Sequence, residues 1–150
     1  MKDNSLKTSL GNINRLPKGL KVLEELGLYK KVINFGAGLG YKKHQELIKG
    51  IELINYDPNI EEINTLPVEK ADAIICNNVL NVIENDEIIE LILDTIDSYK
   101  LPSYITVYEG DRTGEGKTTK TGTYQRNMKT KDYHLEKRGY KLIKGVWVRL

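Results

Sequence analysis

The sequence predicts a compact α/β domain with a mostly parallel sheet and an antiparallel hairpin at the C-terminal end. Short apolar segments of strand length alternate with segments of helical periodicity, which is typical of parallel sheets. Three alternating glycines, at positions 36, 38 and 40, follow the first strand-like segment. Two further strand-like segments at the end of the chain flank Lys144-Gly145, which suits a tight turn. With 150 residues, the chain is predicted to be a single domain, residues 1-150, with a trimmed sheet.

The first half of the chain is predicted to hold two helices and two strands. Leucines recur at helical spacing in residues 16–27, where Pro17 suits the first turn and Gly27 the end. The elements after this helix are a buried strand at residues 32–35, a helix from Tyr41 that ends at Gly50, and a second strand at residues 51–56. Pro58 then ends the second strand, because proline cannot donate a ladder hydrogen bond.

The second half is predicted to add two more strands, two helices and the closing hairpin. Asn85 is suited to cap a helix whose apolar stripe runs from Ile88 to Ile96. The other elements are strands at residues 71–76 and 104–108, a helix at residues 130–138 that ends at Gly139, and hairpin strands at residues 140–143 and 146–150. The alternation of strand and helix therefore continues into the second half.

Two stretches depart from this regular alternation. Only 13 residues separate Asp57 from Ala71, too few for a full crossover with its own helix and strand. We therefore expect one edge strand to be reduced to about residues 62–64. In contrast, the loop at about residues 110–129 is rich in Gly, Thr and Lys and shows no periodicity. A loop of that length in a compact domain is usually functional or disordered.

Composition disfavours several classes of protein. The single cysteine, Cys76, lies in an apolar segment and is predicted to fill the core, so neither a disulfide framework nor a cysteine metal site is expected. His44 and His134 lie in polar, helix-like segments and are predicted to face solvent, so no metal ligand is assigned. No apolar run approaches the length of a membrane span, and the N-terminus lacks an apolar signal core. The sequence therefore predicts a soluble, cytoplasmic protein without a membrane partner.

The net charge of +2 conceals three segments of different sign. Residues 1–31 carry a net charge of +4, residues 32–111 of −10 and residues 112–150 of +8. This distribution suggests an anionic substrate or partner that the basic ends contact, with nucleic acid among the candidates. The alternative is that the lysines only keep the ends soluble. Nothing in the sequence indicates the oligomeric state.

The glycine turn is the most informative feature for function. Glycine lets the backbone approach a ligand without a Cβ, and a carboxylate such as Asp57 accepts hydrogen bonds from ribose hydroxyls. A strand, a glycine turn, a helix and a strand ending in a carboxylate predict binding of an adenosine-containing cofactor. The dinucleotide fingerprint would require a glycine at the position of Tyr41. This departure disfavours a nicotinamide or flavin cofactor, and a turn without any ligand is the alternative.

Residues 32–40 resemble motif I of the class I S-adenosylmethionine-dependent methyltransferases, in which a strand, an acidic residue and G-x-G-x-G face the cofactor. The family most often has Asp two positions before the first glycine, where this chain has Asn34. The resemblance implies a Rossmann-like sheet, S-adenosylmethionine as the cofactor and methyltransferase activity. It also implies a set of cofactor-binding residues: Asn34, Phe35, Gly36, Ala37, Gly38, Gly40, Asp57, Asn77 and Asn78.

The resemblance extends towards the C-terminal part of the chain. Residues 77–83 are similar to an Asn-Val-Leu-His-like segment that lines the cleft in many small methyltransferases. Residues 108–111 (Tyr-Glu-Gly-Asp) and the loop at residues 117–127 resemble small methyltransferases of phages and mobile elements. No residue is marked as a catalytic base, and the candidates for a catalytic role are Asn78, Asn81, Glu109 and Tyr124. The loop is predicted to cover the substrate with basic and aromatic side chains: Arg112, Lys117, Lys120, Tyr124 and Arg126.

Other activities lack their motifs. The proline-containing box of amino-methylating DNA enzymes is missing after the third strand, and Cys76 lacks the preceding proline that cytosine-C5 methylation uses. A phosphate-binding P-loop would require glycine where the chain has Asp111. The methyl acceptor therefore stays open, whether anionic or related to nucleic acid. The alternative function is a non-catalytic, methyltransferase-like module that binds nucleic acid or protein through its basic ends.

Overall fold

The computed structural model describes residues 14–120 and 122–150, so residues 1–13 of the basic amino-terminal segment lie outside the described residues. The helices are α1 (Lys18–Leu26), α2 (Tyr41–Leu47) and α3 (Asp86–Ser98). The strands are β1 (Lys31–Phe35), β2 (Glu52–Tyr56), β3 (Ala73–Asn77), β4 (Ser103–Thr106), β5 (Lys117–Thr118), β6 (Tyr124–Gln125), β7 (Lys141–Ile143) and β8 (Val146–Arg149). Six of these strands form the main sheet, while β5 and β6 pair with each other in the loop.

The main sheet has the strand order β2-β1-β3-β4-β8-β7. β1 to β4 pair in parallel, and β8 is antiparallel to both of its neighbours, β4 and β7. The predicted fold class is thereby confirmed: a mostly parallel, Rossmann-like sheet with a C-terminal antiparallel hairpin. The chain leaves β1 to form β2 on one side and later returns to form β3 on the other. Ligands of such folds bind at the carboxyl end of the strands where the winding reverses, which here is the end of β1.

Apolar side chains cover both faces of the sheet, because successive residues of a strand point to opposite faces. One face packs against α3 and includes the side chains of Ile33, Ile74, Cys76, Ile105 and Trp147. The opposite face packs against α1 and includes the side chains of Val32, Leu53, Ile75, Tyr104 and Val146. Among the described helices, none combines the length and the apolar character needed to cross a lipid bilayer.

Most of the predicted strands and helices are confirmed, with ends shifted by up to three residues. α1 ends at Gly27, which adopts the left-handed conformation at φ +63°. α3 begins after Asn85, whose Oδ1 accepts the Glu87 N–H at 2.8 Å. In the closing hairpin, Lys144 and Gly145 have φ angles of +51° and +81°. Two successive positive φ angles are what a two-residue type I′ turn requires.

The predicted edge strand at residues 62–64 is wrong. This segment forms a short 3-10 helix, Glu61–Ile63, instead. The Asp57 N–H donates to Ile63 O at 2.9 Å, so the chain folds back onto the end of β2 and does not extend along the sheet. β2 is therefore left as one edge of the main sheet.

The predicted helix at residues 130–138 is also wrong. Two 3-10 helices, Thr130–Tyr133 and Leu135–Arg138, take its place. His134 separates them with a left-handed φ of +56°, which is incompatible with a continuous right-handed helix. Gly139 ends the segment as predicted, with a φ of +92°.

The two histidines differ in exposure. His134 is exposed as predicted, but the prediction for His44 is wrong because its side chain is buried. α2, which contains His44, is a seven-residue helix that rests on β2. It has no continuous apolar stripe, so its buried face could not be identified from periodicity.

Cys76 lies in β3 and is fully buried in the core, as predicted. Burial raises the pKa of its thiol to about 12, and thiol reagents attack the thiolate form. We therefore expect the folded protein not to react with DTNB at about pH 8, near the ordinary thiol pKa, and the denatured protein to release one thiol equivalent per chain. Prompt release of thionitrobenzoate from the folded protein would contradict this burial.

Candidate functional site

The glycine turn, residues 36–40, connects β1 to α2 at the carboxyl end of the parallel strands. Gly36 and Gly38 have φ angles of +78° and +73°, which residues with a Cβ rarely adopt. The N–H groups of Gly36 and Ala37 both donate to Tyr56 O, at 2.7 and 3.0 Å. These bonds fix the turn against the last residue of β2.

Asp57 follows β2 directly and is only 4% exposed. Its Oδ2 accepts the Gly38 N–H at 2.9 Å, and its Oδ1 accepts the Asn59 N–H at 2.9 Å. A carboxylate has about four acceptor sites, so these backbone bonds are compatible with bonds to ribose hydroxyls. Asp57 thus has a role that the sequence does not reveal, because it holds the glycine turn in shape.

Asn34 and Phe35 end β1, immediately before the glycine turn. Asn34 is buried, and its Nδ2 donates to Asn55 Oδ1 at 3.0 Å across the β1–β2 pair. Phe35 packs against Tyr56, with 4.9 Å between the ring centroids. Both side chains therefore support the turn from within the sheet. The position at which the resembling family most often has Asp carries no charge here.

Val79, which follows β3, packs against the glycine turn. A Cβ built on Gly36 would overlap Val79 Cγ2, so glycine is required at this contact as well as by its φ angle. The contact places the segment after β3 beside the turn, across the point where the winding of the sheet reverses. Val79 is not among the predicted site residues, although an apolar side chain in an asparagine-rich segment could have indicated it.

Asn77 and Asn78 lie at the carboxyl end of β3 in different surroundings. Asn77 Oδ1 accepts the Gly19 N–H at 3.0 Å and the Thr106 hydroxyl at 2.7 Å, which joins β3 to α1 and β4. Asn78 has a φ of +53° and is exposed. Of these two predicted cofactor-binding residues, Asn78 is therefore the more accessible to a ligand.

A chain of side-chain amides connects the segment after β3 to the loop. Asn81 is 4% exposed, and its Nδ2 donates to Gln125 Oε1 at 3.3 Å. Gln125 Nε2 in turn donates to Tyr108 O at 3.2 Å, just beyond β4. Asn81 Oδ1 is buried and has no hydrogen-bond partner in the described part of the chain. Asn81 therefore links the neighbourhood of the glycine turn to the loop.

Glu109 joins the two ends of the loop. Its carboxylate accepts the Thr130 N–H at 2.6 Å and lies 2.9 Å from Arg112 Nε. The Thr130 hydrogen bond, together with the Arg112 charge and against the effect of burial, holds the pKa of Glu109 below its ordinary 4.5. A general base works best when its pKa lies near the working pH. Glu109 is therefore better suited to holding the loop than to accepting a proton.

We expect the Thr130 amide resonance to titrate with Glu109 in ¹H–¹⁵N spectra, with a midpoint below 4.5. Because folding lowers the pKa of Glu109, its ionised carboxylate stabilises the folded loop at pH values above 4.5, the ordinary pKa. This stabilisation is lost as the pH falls through the lower pKa of the folded state. The Glu109→Gln variant should lose the titration. The control is Glu115→Gln, which removes an exposed carboxylate of the same loop. A midpoint at or above 4.5 would contradict the contact.

The loop at residues 110–129 contains the β5–β6 hairpin and is closed at its base by Asn127. Asn127 Nδ2 donates to Glu115 O at 3.1 Å, and Asn127 O accepts the Gly114 N–H at 2.9 Å. Asn127 has a φ of +56°, a conformation that asparagine tolerates better than most residues. This tolerance is the feature that could have indicated its role from the sequence.

Three of the five predicted substrate-loop residues are engaged by the protein itself. Arg126 lies 2.5 Å from the Asp86 carboxylate at the start of α3. Arg112 pairs with the Glu109 carboxylate at the start of the loop. Tyr124 packs over Gly116, where a Cβ would overlap the tyrosine hydroxyl. These three side chains therefore contribute to the structure of the loop.

The other two, Lys117 and Lys120, line a cleft of about 420 Å³ between the β5–β6 hairpin and the chain beyond β4, where Lys117 also lies 3.8 Å from the Asp111 carboxylate. We call it the lysine cleft, and its lining includes Tyr108, Asp111, Lys117, Lys120, Gln125 and Asn127. Gln125 thus belongs both to this lining and to the amide chain that reaches Asn81. The part that Tyr108 and Gln125 play in the cleft was not predicted.

The predicted residues thus separate into two groups along the same edge of the sheet. Asp57, Asn78 and the glycine turn surround the carboxyl ends of β1, β2 and β3. The candidates Asn81 and Glu109 attach the loop to the rest of the domain, and Tyr124 lies within the loop. The first group is the predicted cofactor site, and the lysine cleft is a separate candidate ligand site.

The reversal point of the sheet and the glycine turn define an α/β protein of Rossmann-like fold with a candidate ligand site at the carboxyl ends of its strands. Its fold is similar to that of the solved DhpI–SAH complex, with a TM-score of 0.55. The match covers 87% of this chain and 79% of the DhpI chain, at 12% sequence identity. A likeness at this identity shows a shared fold. No protein-family profile and no curated protein sequence match this chain.

Proposed function

We propose that this protein is a class I methyltransferase that uses S-adenosylmethionine. The observation that carries the proposal is the hydrogen bond of 2.9 Å from the Gly38 N–H to Asp57 Oδ2, at the reversal point of the sheet. It joins the two features that resemble this family, motif I and the carboxylate after the second strand. The similar fold of DhpI, which was solved with SAH, supports the choice of cofactor. SAH is S-adenosylhomocysteine, the product that methyl transfer leaves behind.

The residues around the turn fit an adenosine-containing cofactor. The turn offers backbone without Cβ atoms at Gly36 and Gly38, and Asp57 offers acceptor oxygens for ribose hydroxyls. Asn78 adds an exposed amide at the same edge. When bound, S-adenosylmethionine supplies an activated methyl group on a sulfonium. Because Asn34 brings no charge, affinity depends on the turn and on Asp57.

The chain's own contribution to the reaction is positioning of the two ligands. Glu109 is a weak base because its pKa is lowered, and the amides of Asn78 and Asn81 do not accept protons at neutral pH. The fourth candidate, Tyr124, has its hydroxyl against Gly116 within the loop. An acceptor that is already anionic can attack a methyl group without first giving a proton to the protein. We therefore propose an anionic acceptor.

Isothermal titration calorimetry with S-adenosylhomocysteine tests the proposed function. We expect saturable binding that S-adenosylmethionine competes for, because both carry the adenosine that the turn and Asp57 would hold. NAD is the control for a dinucleotide site and should bind much more weakly, since the chain has Tyr41 where that fingerprint requires glycine. Absence of heat with S-adenosylhomocysteine at millimolar concentration would overturn the proposal.

A non-catalytic binding module is the second candidate, and one observation favours it. Position 34 is an asparagine and therefore provides no charged partner for the amino group of the cofactor. Its amide nitrogen donates to Asn55 within the sheet. Such a module would bind random DNA or RNA with an affinity that falls steeply with salt, in the absence of any cofactor binding. Binding of S-adenosylhomocysteine without salt-dependent binding of nucleic acid would exclude it.

A further inference from the structure

We infer that the lysine cleft binds the phosphate or carboxylate group of a small methyl acceptor. The role as an acceptor site rests on the proposed function, whereas binding of the anion can be tested without it. Three features of the cleft support the inference: its charge, its size and its connection to the glycine turn.

Lys117 and Lys120 give the lysine cleft a net positive charge. Its acidic residue, Asp111, accepts the N–H and the hydroxyl of Thr113 at 3.0 and 2.8 Å. These bonds, and less strongly Lys117, hold the pKa of Asp111 below its ordinary 3.8, so Asp111 is ionised at neutral pH. Lys117 lies 3.8 Å from Asp111, while Lys120 has no ion-pair partner within residues 14–120 and 122–150. One positive charge therefore remains uncompensated.

The two arginines of the loop do not add to this charge. Arg112 pairs with Glu109, and Arg126, with 11% of its side chain exposed, pairs with Asp86. A single strand of nucleic acid needs a basic groove with several cations and aromatic side chains for stacking. The lysine cleft offers one uncompensated charge and one exposed ring, that of Tyr108. Its charge therefore favours a small anion over a polymer.

The size and the lining of the lysine cleft also suit a small molecule. Its volume of about 420 Å³ lies in the lower part of the range of about 300–1,000 Å³ that small-molecule sites occupy. The ring of Tyr108 provides an apolar surface, and Thr118 and Thr119 add polar side chains to the lining. An apolar surface with a few polar groups and a cation suits a ring that carries an oxyanion.

Consecutive contacts connect the lysine cleft to the glycine turn. Gln125 lines the cleft and accepts the Asn81 amide at 3.3 Å. Asn81 lies two residues after Val79, and Val79 packs against Gly36. Gln125 and the short segment at residues 79–81 therefore link the lining of the cleft to the glycine turn.

Titration of the ¹⁵N-labelled full-length protein with phenyl phosphate, benzoate and neutral phenol tests the inference. We expect at least one anion to bind more tightly than phenol and to shift the amide resonances of Lys117 and Lys120. The double variant Lys117→Gln/Lys120→Gln should weaken anion binding about tenfold, the effect of losing one charge-assisted hydrogen bond. The matched control is Lys141→Gln/Lys144→Gln, which removes two exposed lysines of the closing hairpin.

The two anions distinguish a phosphate from a carboxylate ligand. Equal effects of the two double variants, or equal binding of phenol and the anions, would overturn the inference. Lysine-dependent binding of an oligothymidylate that is tighter than that of phenyl phosphate would overturn it as well. Anion binding at the lysines in a protein that does not bind S-adenosylhomocysteine would support the anion site and refute the proposed function. Binding of S-adenosylhomocysteine without anion binding would support the proposed function and overturn the anion site.

Discussion

Replacing Asp57 with alanine should weaken the binding of S-adenosylhomocysteine by at least about tenfold. A hydrogen bond to a charged acceptor contributes about 1.5–3 kcal/mol, and about 1.4 kcal/mol corresponds to a factor of ten in affinity. The variant also removes the acceptor of the Gly38 N–H, so the glycine turn loses one of its supports and keeps the two bonds to Tyr56 O. Calorimetric titration of wild type and variant measures the change, after circular dichroism has shown that the variant is folded.

The matched control for Asp57→Ala is Asp72→Ala. Asp72 is an exposed carboxylate that also accepts two backbone N–H groups, those of Lys30 and Lys31, each at 2.9 Å. Asp72 immediately precedes β3, and its carboxylate contacts the amino end of β1, at the opposite end of that strand from the glycine turn. We expect Asp72→Ala to leave the affinity for S-adenosylhomocysteine unchanged. Equal affinity of all three proteins would remove Asp57 from the binding site.

A third variant, Asp57→Asn, separates the two roles of this carboxylate. Asparagine keeps one acceptor oxygen for the Gly38 N–H but carries no charge. If the main role of Asp57 is to hold the turn, Asp57→Asn should bind S-adenosylhomocysteine nearly as well as wild type. If its main role is to accept the ribose hydroxyls, the affinity should fall almost as far as in Asp57→Ala.

The central part of the fold could be predicted because its elements follow simple local rules. β1 and β3 are short apolar runs, and α3 has a strong apolar stripe after its cap at Asn85. The glycine turn and Asp57 were identified for a similar reason, since the glycines and the carboxylate follow strands directly. What the sequence could not give is the direct bond between Gly38 and Asp57, because it depends on how β1 and β2 pair.

The parts that were predicted wrongly are governed by single residues in unusual conformations or by contacts distant in sequence. His134 interrupts an otherwise helical pattern with a positive φ angle, which periodicity does not register. The turn at residues 61–63 is set by a bond back to Asp57. The burial of His44 depends on the packing of α2 against β2.

The charge segregation of the sequence also has a structural explanation that patterning alone does not provide. Arg138 contacts three acidic residues on α3: Glu90, Asp94 and Asp97. Arg149 also pairs with Asp97, at 2.7 Å. The basic C-terminal segment thus neutralises part of the acidic body, and its charge is not by itself evidence for an anionic partner. For this reason only Lys117 and Lys120 support the inferred anion site.

Replacing Gly36 with alanine should destabilise the protein by about 2–5 kcal/mol. The positive φ angle costs a residue with a Cβ about 1–2 kcal/mol, and forcing a methyl group into a packed contact costs about 1–3 kcal/mol more. The packed contact is with Val79, whose Cγ2 the new Cβ would overlap. Urea denaturation measures the free energy of unfolding. The matched control is Gly27→Ala, because Gly27 has a φ of +63° but, its chain neighbours apart, no heavy atom of the described residues lies within 4 Å of the Cβ position.

Val79→Ala should partly rescue Gly36→Ala, because it removes the atoms that the new Cβ would overlap. We expect the double variant to be more stable than the sum of the two single effects by at least about 1 kcal/mol, within the range found for residues in direct contact. Val79→Ala combined with Gly27→Ala should instead be additive. Additivity in both pairs would show that Val79 does not pack against the glycine turn, and the connection from the turn through Asn81 to the lysine cleft would then fail at its first step.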